Sequence, residues 1–198
     1  AFDQVAQAMG GGMSITGPDS KHMVRAGIPI GDLGGGMFGV MGILAALYER
    51  ERSGFGQHVD ISMLDCQISM LNYMATMHFL SGEDPYPIGN SHFVHVPYNT
   101  FTCSDGFVVI AVITDNFWQN LKEVVRCPEF DNAKYDFQPG RWEDREIINS
   151  TLNKVLSGNT CQHWLTELEA KRIPCAPVNT LSDALADPQV LHRNMVVD

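Results

Sequence analysis

Ala26-Gly27-Ile28-Pro29-Ile30-Gly31-Asp32-Leu33-Gly34-Gly35-Gly36 is the stretch on which the reading turns. Residues 27 to 31 make a tight connection, and Asp32 stands where a helix N-cap belongs. Its side-chain oxygen can there accept from the free N–H groups of the first turn. Met37, Val40, Met41, Leu44 and Leu47 follow at spacings of three and four and mark one apolar helical face. Glu49 to Arg52 are charged, and Ser53-Gly54 ends the helix. A helix entrance favours negative charge, and glycines let a bulky ligand approach the backbone. Taken alone, such a pattern most often describes a structural cap.

Upstream, Phe2 to Met9 reads as a short helix broken by Gly10-Gly11-Gly12. Downstream, His58-Val59-Asp60-Ile61 alternates like a short strand. Leu64, Ile68, Leu71, Ala75 and Phe79 mark a second long helix, stopped by Gly82. Residues 82 to 97 lose periodicity and read as a linker. Tyr98–Cys103 and Phe107–Val112 form two strands joined through Asp105-Gly106, a hairpin signal. Thr114 caps a helix. Residues 141 to 156 and 160 to 172 read as two more helices, Cys175–Val178 as an edge strand, and Ser182–Ala186 as a short helix.

The chain has 198 residues, 44% of them apolar, and a net charge of −10 from 23 acidic and 13 basic side chains. The apolar content predicts a folded globular protein. The acidic balance argues against nucleic acid as a partner. Five scattered cysteines without C-x-x-C spacing read as reduced thiols, and the histidines show no metal-like spacing, so no metal site is expected. The apolar stretches are interrupted before the ~20 residues of a membrane span, so no membrane role is expected. The sequence opens at Ala1-Phe2-Asp3 without a Met or targeting segment and is read as N-terminally truncated. Met195-Val196-Val197-Asp198 reads as the start of a strand.

Ala26–Asp32, Gly42-Ile43-Leu44-Ala45-Ala46-Leu47, Arg50–Gln57 and Val59–Asp65 resemble, in this order, the core signature of the family III CoA transferases. That superfamily also holds the α-methylacyl-CoA racemases. Pro97–Thr102, Ser104-Asp105-Gly106, Ile110-Ala111-Val112, Ile173–Val178 and Asp187-Pro188-Gln189 continue the likeness, which covers almost the whole chain.

The resemblance implies an α/β fold: the helical part of a Rossmann-like large domain, followed by a small α+β domain. Residues 1–81 would belong to the large domain, 82–97 to a linker and 98–180 to the small domain, with 181–198 starting the return. It implies an interlocked homodimer, and the reduced cysteines lead to the expectation of the cytoplasm or the mitochondrial matrix. It also implies a CoA transferase in which Asp32 becomes an aspartyl-CoA thioester, with acyl-CoA and a carboxylic acid as partners. Coenzyme A thioester enters as substrate, and no cofactor stays bound.

Gly34, Gly35 and Gly36 would bind substrate, their N–H groups facing an oxyanion. His22 and Arg25 would meet CoA. Gly89-Asn90-Ser91-His92 stands where the formyl-CoA transferases have a glycine run. It resembles the members that use dicarboxylic acids such as succinate, so Asn90, Ser91 and His92 would bind the acyl carboxylate, or merely turn the linker. Two alternatives stay open. In a racemase, Asp3 would match the Asp of the acid/base pair and a Glu would fall near Asp115. Otherwise the chain is a non-catalytic fragment or a partner subunit.

Overall fold

The computed structural model describes residues 2–197. The chain divides into two compact units, Ala1–Gly89 and Asn90–Asp198. Helix and a small sheet are mixed along the chain, but every strand among the described residues lies in the second unit.

The first unit is helical. It comprises α1 (Asp3–Met9), α2 (Ile30–Ser53), α3 (Met63–Met70) and α4 (Tyr73–Ser81). α2 packs on α1 and α3 through glycines. A Cβ at Gly34 would lie 2.5 Å from Met70 Cε, and one at Gly42 would lie 2.8 Å from Val59 Cγ1. Side chains at these positions would hold the elements apart.

Several expectations change here. His58–Ile61 forms no strand, because no neighbouring strand supplies hydrogen bonds. No parallel sheet occurs among the described residues. The long helix expected over 64–79 is two helices, broken at Asn72, whose φ of 51° and ψ of −124° lie outside helical geometry. The apolar face of α2 forms but is exposed, Leu44 at 60%, and the only buried α2 residues are Gly31 and Gly34. By length and composition α2 does reach what a membrane span requires, with a mean hydropathy of 1.6 over an 18-residue window. Met195–Val197 form no strand, and Asp198 lies outside the described residues.

The second unit holds β1 (Tyr98–Thr102), β2 (Phe107–Ala111), α5 (Asp115–Val125), α6 (Gln138–Glu143), α7 (Arg145–Leu156), α8 (Cys161–Ala170), β3 (Cys175–Pro177), α9 (Leu181–Leu185) and α10 (Pro188–His192). The strands lie in the order β1-β2-β3, all antiparallel, with Phe101 opposite Val108 and Ile110 opposite Cys175. Alternation along β2 buries Val108 and Ile110 in a hydrophobic core with Trp118, Leu121, Ile148, Leu152 and Leu168. Asp105, in the hairpin loop, also accepts from Cys161 N–H at 2.7 Å and so caps α8. The helix expected over 141–156 breaks at Asp144 into α6 and α7. All five cysteines are free thiols. Burial, with the Cys103 thiol and the Asp105 carboxylate beside it, pushes the Cys161 thiol up to about 12.

Arg141 is fully buried. It donates to Val96 O (2.8 Å), Tyr135 O (2.7 Å), Asp115 Oδ1 (2.7 Å) and Gln138 Oε1 (2.8 Å). Its guanidinium lies 5.4 Å from the Trp118 ring centre. Removing it strands the Val96 and Tyr135 carbonyls it meets in the core and unpairs the half-exposed Asp115 carboxylate. Arg141→Met is expected to lower unfolding free energy by about 3 kcal/mol or more, measured by urea denaturation.

Candidate functional site

Asp32 lies in the first turn of α2 but is not its cap. Pro29 holds the N-cap position without a side-chain bond, and Asp32 is the third helical residue. The cap comes from elsewhere. Asp3, at the start of α1, accepts the Gly31 N–H with Oδ1 at 2.8 Å. Gln7 Nε2 donates to Asp3 Oδ2 at 2.8 Å, and Gln7 Oε1 accepts the Ala26 N–H at 2.9 Å. Glycine eases this approach, because a Cβ at position 31 would lie 3.0 Å from Asp3 Oδ1 and the carboxylate would have to give way by a few tenths of an ångström.

With capping done by Asp3, the Asp32 side chain is released. It is exposed, and among the described residues it takes part in no hydrogen bond or ion pair. Of the first-turn amides, Ile30 donates to Ile28 O, Gly31 to Asp3, and Leu33 to Pro29 O. The Asp32 N–H has no acceptor among the described residues.

Gly34, Gly35 and Gly36 lie beyond that turn, inside the helix. Their N–H groups point back to carbonyls four residues earlier, which corrects the expectation that they face an oxyanion. Gly34 is packed against Met70, and a Cβ on Gly35 would meet Met63 Cγ at 3.3 Å. Gly36 alone opens to free space, beside a shallow apolar hollow lined by Met37, Val40, Met41 and Met70. A second cavity, of about 320 Å³, is lined by Gln7, Thr16, Ala26, Ile30, Gln67 and Asn72 among others. Gln67 is buried, and its Nε2 finds no partner among the described residues.

His22 and Arg25 are both engaged locally. His22 Nδ1 sits 2.9 Å from Asp19 Oδ1. That imidazole, with the Lys21 N–H, holds the Asp19 carboxyl below the usual carboxylate range. Arg25 donates to Ala26 O at 2.8 Å and Gly27 O at 3.1 Å, bracing the connection that leads into α2.

Asn90, Ser91 and His92 belong to the second unit. Ser91 Oγ accepts from Asn99 Nδ2 at 3.0 Å. His92 Nδ1 accepts the N–H groups of Val94 (3.0 Å) and His95 (3.2 Å). Two donors aimed at one nitrogen require that nitrogen to be unprotonated, leaving the proton on Nε2. The ring stacks on Tyr98 at 5.1 Å and lies 4.8 Å from His95. Burial, and the nearby His95, push the His92 imidazole below its ordinary value. Asn90 is exposed.

The two residues that the racemase alternative named are both engaged in the structure. Both Asp3 oxygens accept hydrogen bonds, and Asp115 is bound to Arg141. The capping of α2 by Asp3 and the burial of Gln7 and Gln67 were missed from sequence. The available signal was the pair of polar residues at i and i+4 in α1.

A family model described as CoA-transferase family III matches residues 1–198. The succinyl-CoA:mesaconate CoA-transferase of Haloarcula marismortui is 35% identical over 198 residues, all of this chain and 50% of that protein. The human succinyl-CoA:glutarate CoA-transferase is 29% identical over all of this chain and 45% of its own length. The crystal structure of a CAIB/BAIF family protein from Brucella suis matches with a TM-score of 0.91 at 31% identity, covering all of this chain and 53% of that one. The chain thus spans about half the length of the relatives it matches. It belongs to CoA-transferase family III.

Proposed function

We propose that this chain supplies the acyl-carrying carboxylate of a CoA transferase that moves CoA between a short dicarboxylic acyl-CoA, such as succinyl-CoA, and a free carboxylic acid. The observation that carries the reading is Asp32: an exposed carboxylate without a bonding partner among the described residues, in the first turn of a helix capped by another residue. The relatives' names, with succinyl-CoA as donor and mesaconate or glutarate as acceptor, support the dicarboxylic class.

Asp32 attacks the thioester carbonyl, the C–S bond breaks, and CoA leaves as thiolate with a mixed anhydride formed. The thiolate attacks the Asp32 carbonyl of that anhydride and expels the donor acid. This leaves an aspartyl-CoA thioester. The acceptor carboxylate attacks this thioester and releases the thiolate again. The thiolate then takes the acceptor acyl group, and Asp32 returns as a carboxylate. Each step exchanges one acyl bond for another, so the thioester free energy is kept. The Asp32 N–H, unpaired among the described residues, is the amide proposed to face an oxyanion.

On the sequence resemblance, Asn90, Ser91 and His92 are proposed as substrate-binding residues of the second unit. Gly36 leaves room beside the carrier, and Arg25, with His22 near it in sequence, is proposed to meet CoA. The complete protein is read as an interlocked homodimer with a Rossmann-like large domain. The exposed apolar face of α2 supports that reading, since it has the character of a surface covered in a larger assembly.

The test uses the complete protein incubated with succinyl-CoA and quenched with hydroxylamine or borohydride. Mass spectrometry is expected to find the modification on the peptide holding Asp32. Asp32→Ala is expected to lose at least ~10³-fold in kcat while remaining folded. An unmodified Asp32 during active turnover would refute the assignment.

A second outcome concerns His92. Its folded-state value lies below that of the unfolded chain, so the unfolded chain binds the proton more readily in that window. Stability present above about pH 6.5 is therefore lost as pH falls towards the folded value. Nitrogen NMR is expected to show the Nε2–H tautomer at pH 7. Unfolding free energy is expected to fall more between pH 7 and pH 5.5 in the wild type than in His92→Gln.

A further inference from the structure

We propose that Gln7, acting through Asp3, is a positioning residue for Asp32. The two side chains form a polarised relay that sets the first turn of α2, and with it the direction of the carrier carboxylate. The proposal rests on the reading of Asp32 given above, and neither residue is placed in contact with substrate.

Three hydrogen bonds run in series: Ala26 N–H to Gln7 Oε1, Gln7 Nε2–H to Asp3 Oδ2, and Gly31 N–H to Asp3 Oδ1. Gln7 is only 2% exposed, so both of its bonds are largely shielded from bulk solvent. Its amide orientation is dictated from both ends. A flip would set Nε2 against the Ala26 N–H and Oε1 against a carboxylate.

The relay holds two backbone amides, at Ala26 and Gly31, which bracket the connection into α2. Between them Pro29 has a fixed φ, and the Arg25 guanidinium holds the carbonyls of Ala26 and Gly27. Gly31 directly precedes Asp32. Pinning its amide therefore fixes the rotation of the first turn, and so the direction in which the Asp32 carboxylate leaves the helix. A nucleophile displaced by ~1 Å can lose two orders of magnitude in rate.

The donor and acceptor order of the relay supplies its test. Asp3→Asn alone sets an amide NH₂ against the Gln7 NH₂. Gln7→Glu alone sets two carboxylates together. Asp3→Asn combined with Gln7→Glu restores every bond. The introduced asparagine would accept from the Gly31 N–H through its carbonyl oxygen. Its NH₂ would donate to the introduced glutamate, whose other oxygen would accept from the Ala26 N–H. Net charge is unchanged.

The experiment measures kcat, KM and the Gly31 amide proton shift in the complete protein for the wild type, both single variants and the combined variant. Each single variant is expected to lose ~10-fold or more in kcat with KM within about threefold, and the combination to return within about threefold of wild type. The Gly31 amide is expected downfield in the wild type and the combination, and shifted in the single variants. Single variants as active as wild type would overturn the proposal. So would a combined variant that is inactive or fails to fold, which is also the outcome if the Asp3 carboxylate itself handles a proton. Should wild-type Asp32 stay unmodified by succinyl-CoA, the reading of Asp32 falls. The relay is then judged by the Gly31 amide alone, upheld if the combination keeps the wild-type shift and refuted if it does not.

Discussion

An α-helix begins with amide protons that have no carbonyl to meet. In α2 one of these is met by Asp3, 28 residues upstream of its Gly31 partner. A hydrogen bond to a charged acceptor is worth about 1.5–3 kcal/mol. This one joins α1 to the entrance of α2 at a glycine, where a Cβ would crowd the approaching carboxylate. Its consequence is a division of labour between two aspartates. Asp3 takes the capping role, so Asp32 is left as an exposed carboxylate at the positive end of a 24-residue helix. A single aspartate would have to choose between stabilising the helix and meeting a ligand.

The second unit is built on a different principle. Its sheet and helices α5, α7 and α8 bury a continuous apolar core, and a fully buried arginine holds the chain segments that approach it. Arg141 works because its fork meets two backbone carbonyls and two side chains at once, against the face of Trp118. That rigid frame supports a loop in which His92 is kept in one tautomer by two backbone amides. The result is a neutral donor of fixed direction, the kind of group that recognises a carboxylate without adding charge. The first unit, by contrast, buries small and polar side chains, Ala6, Gln7, Cys66 and Gln67, and leaves its large apolar residues exposed. Half-length coverage of the relatives accords with that difference.

Local features were legible from residue order alone. The ordered motifs pointed to the family, and the glycines with Asp32 marked a candidate site. Asp105-Gly106 marked the hairpin, the spacing of three and four marked α2, and Thr114 marked the start of α5. These rest on interactions within a few residues, where spacing fixes geometry. Folding settled what long-range contacts control. Asp3 bonds to an amide 28 residues away and Asp105 to one 56 residues away, and no local pattern announces either bond. The second long helix breaks at Asn72, and the glycines beside Asp32 proved to be packing surfaces for Met70 and Met63. Periodicity reports which face of a helix is apolar. Only the packed chain reports whether anything covers it, because burial depends on neighbours that sequence spacing does not bring together.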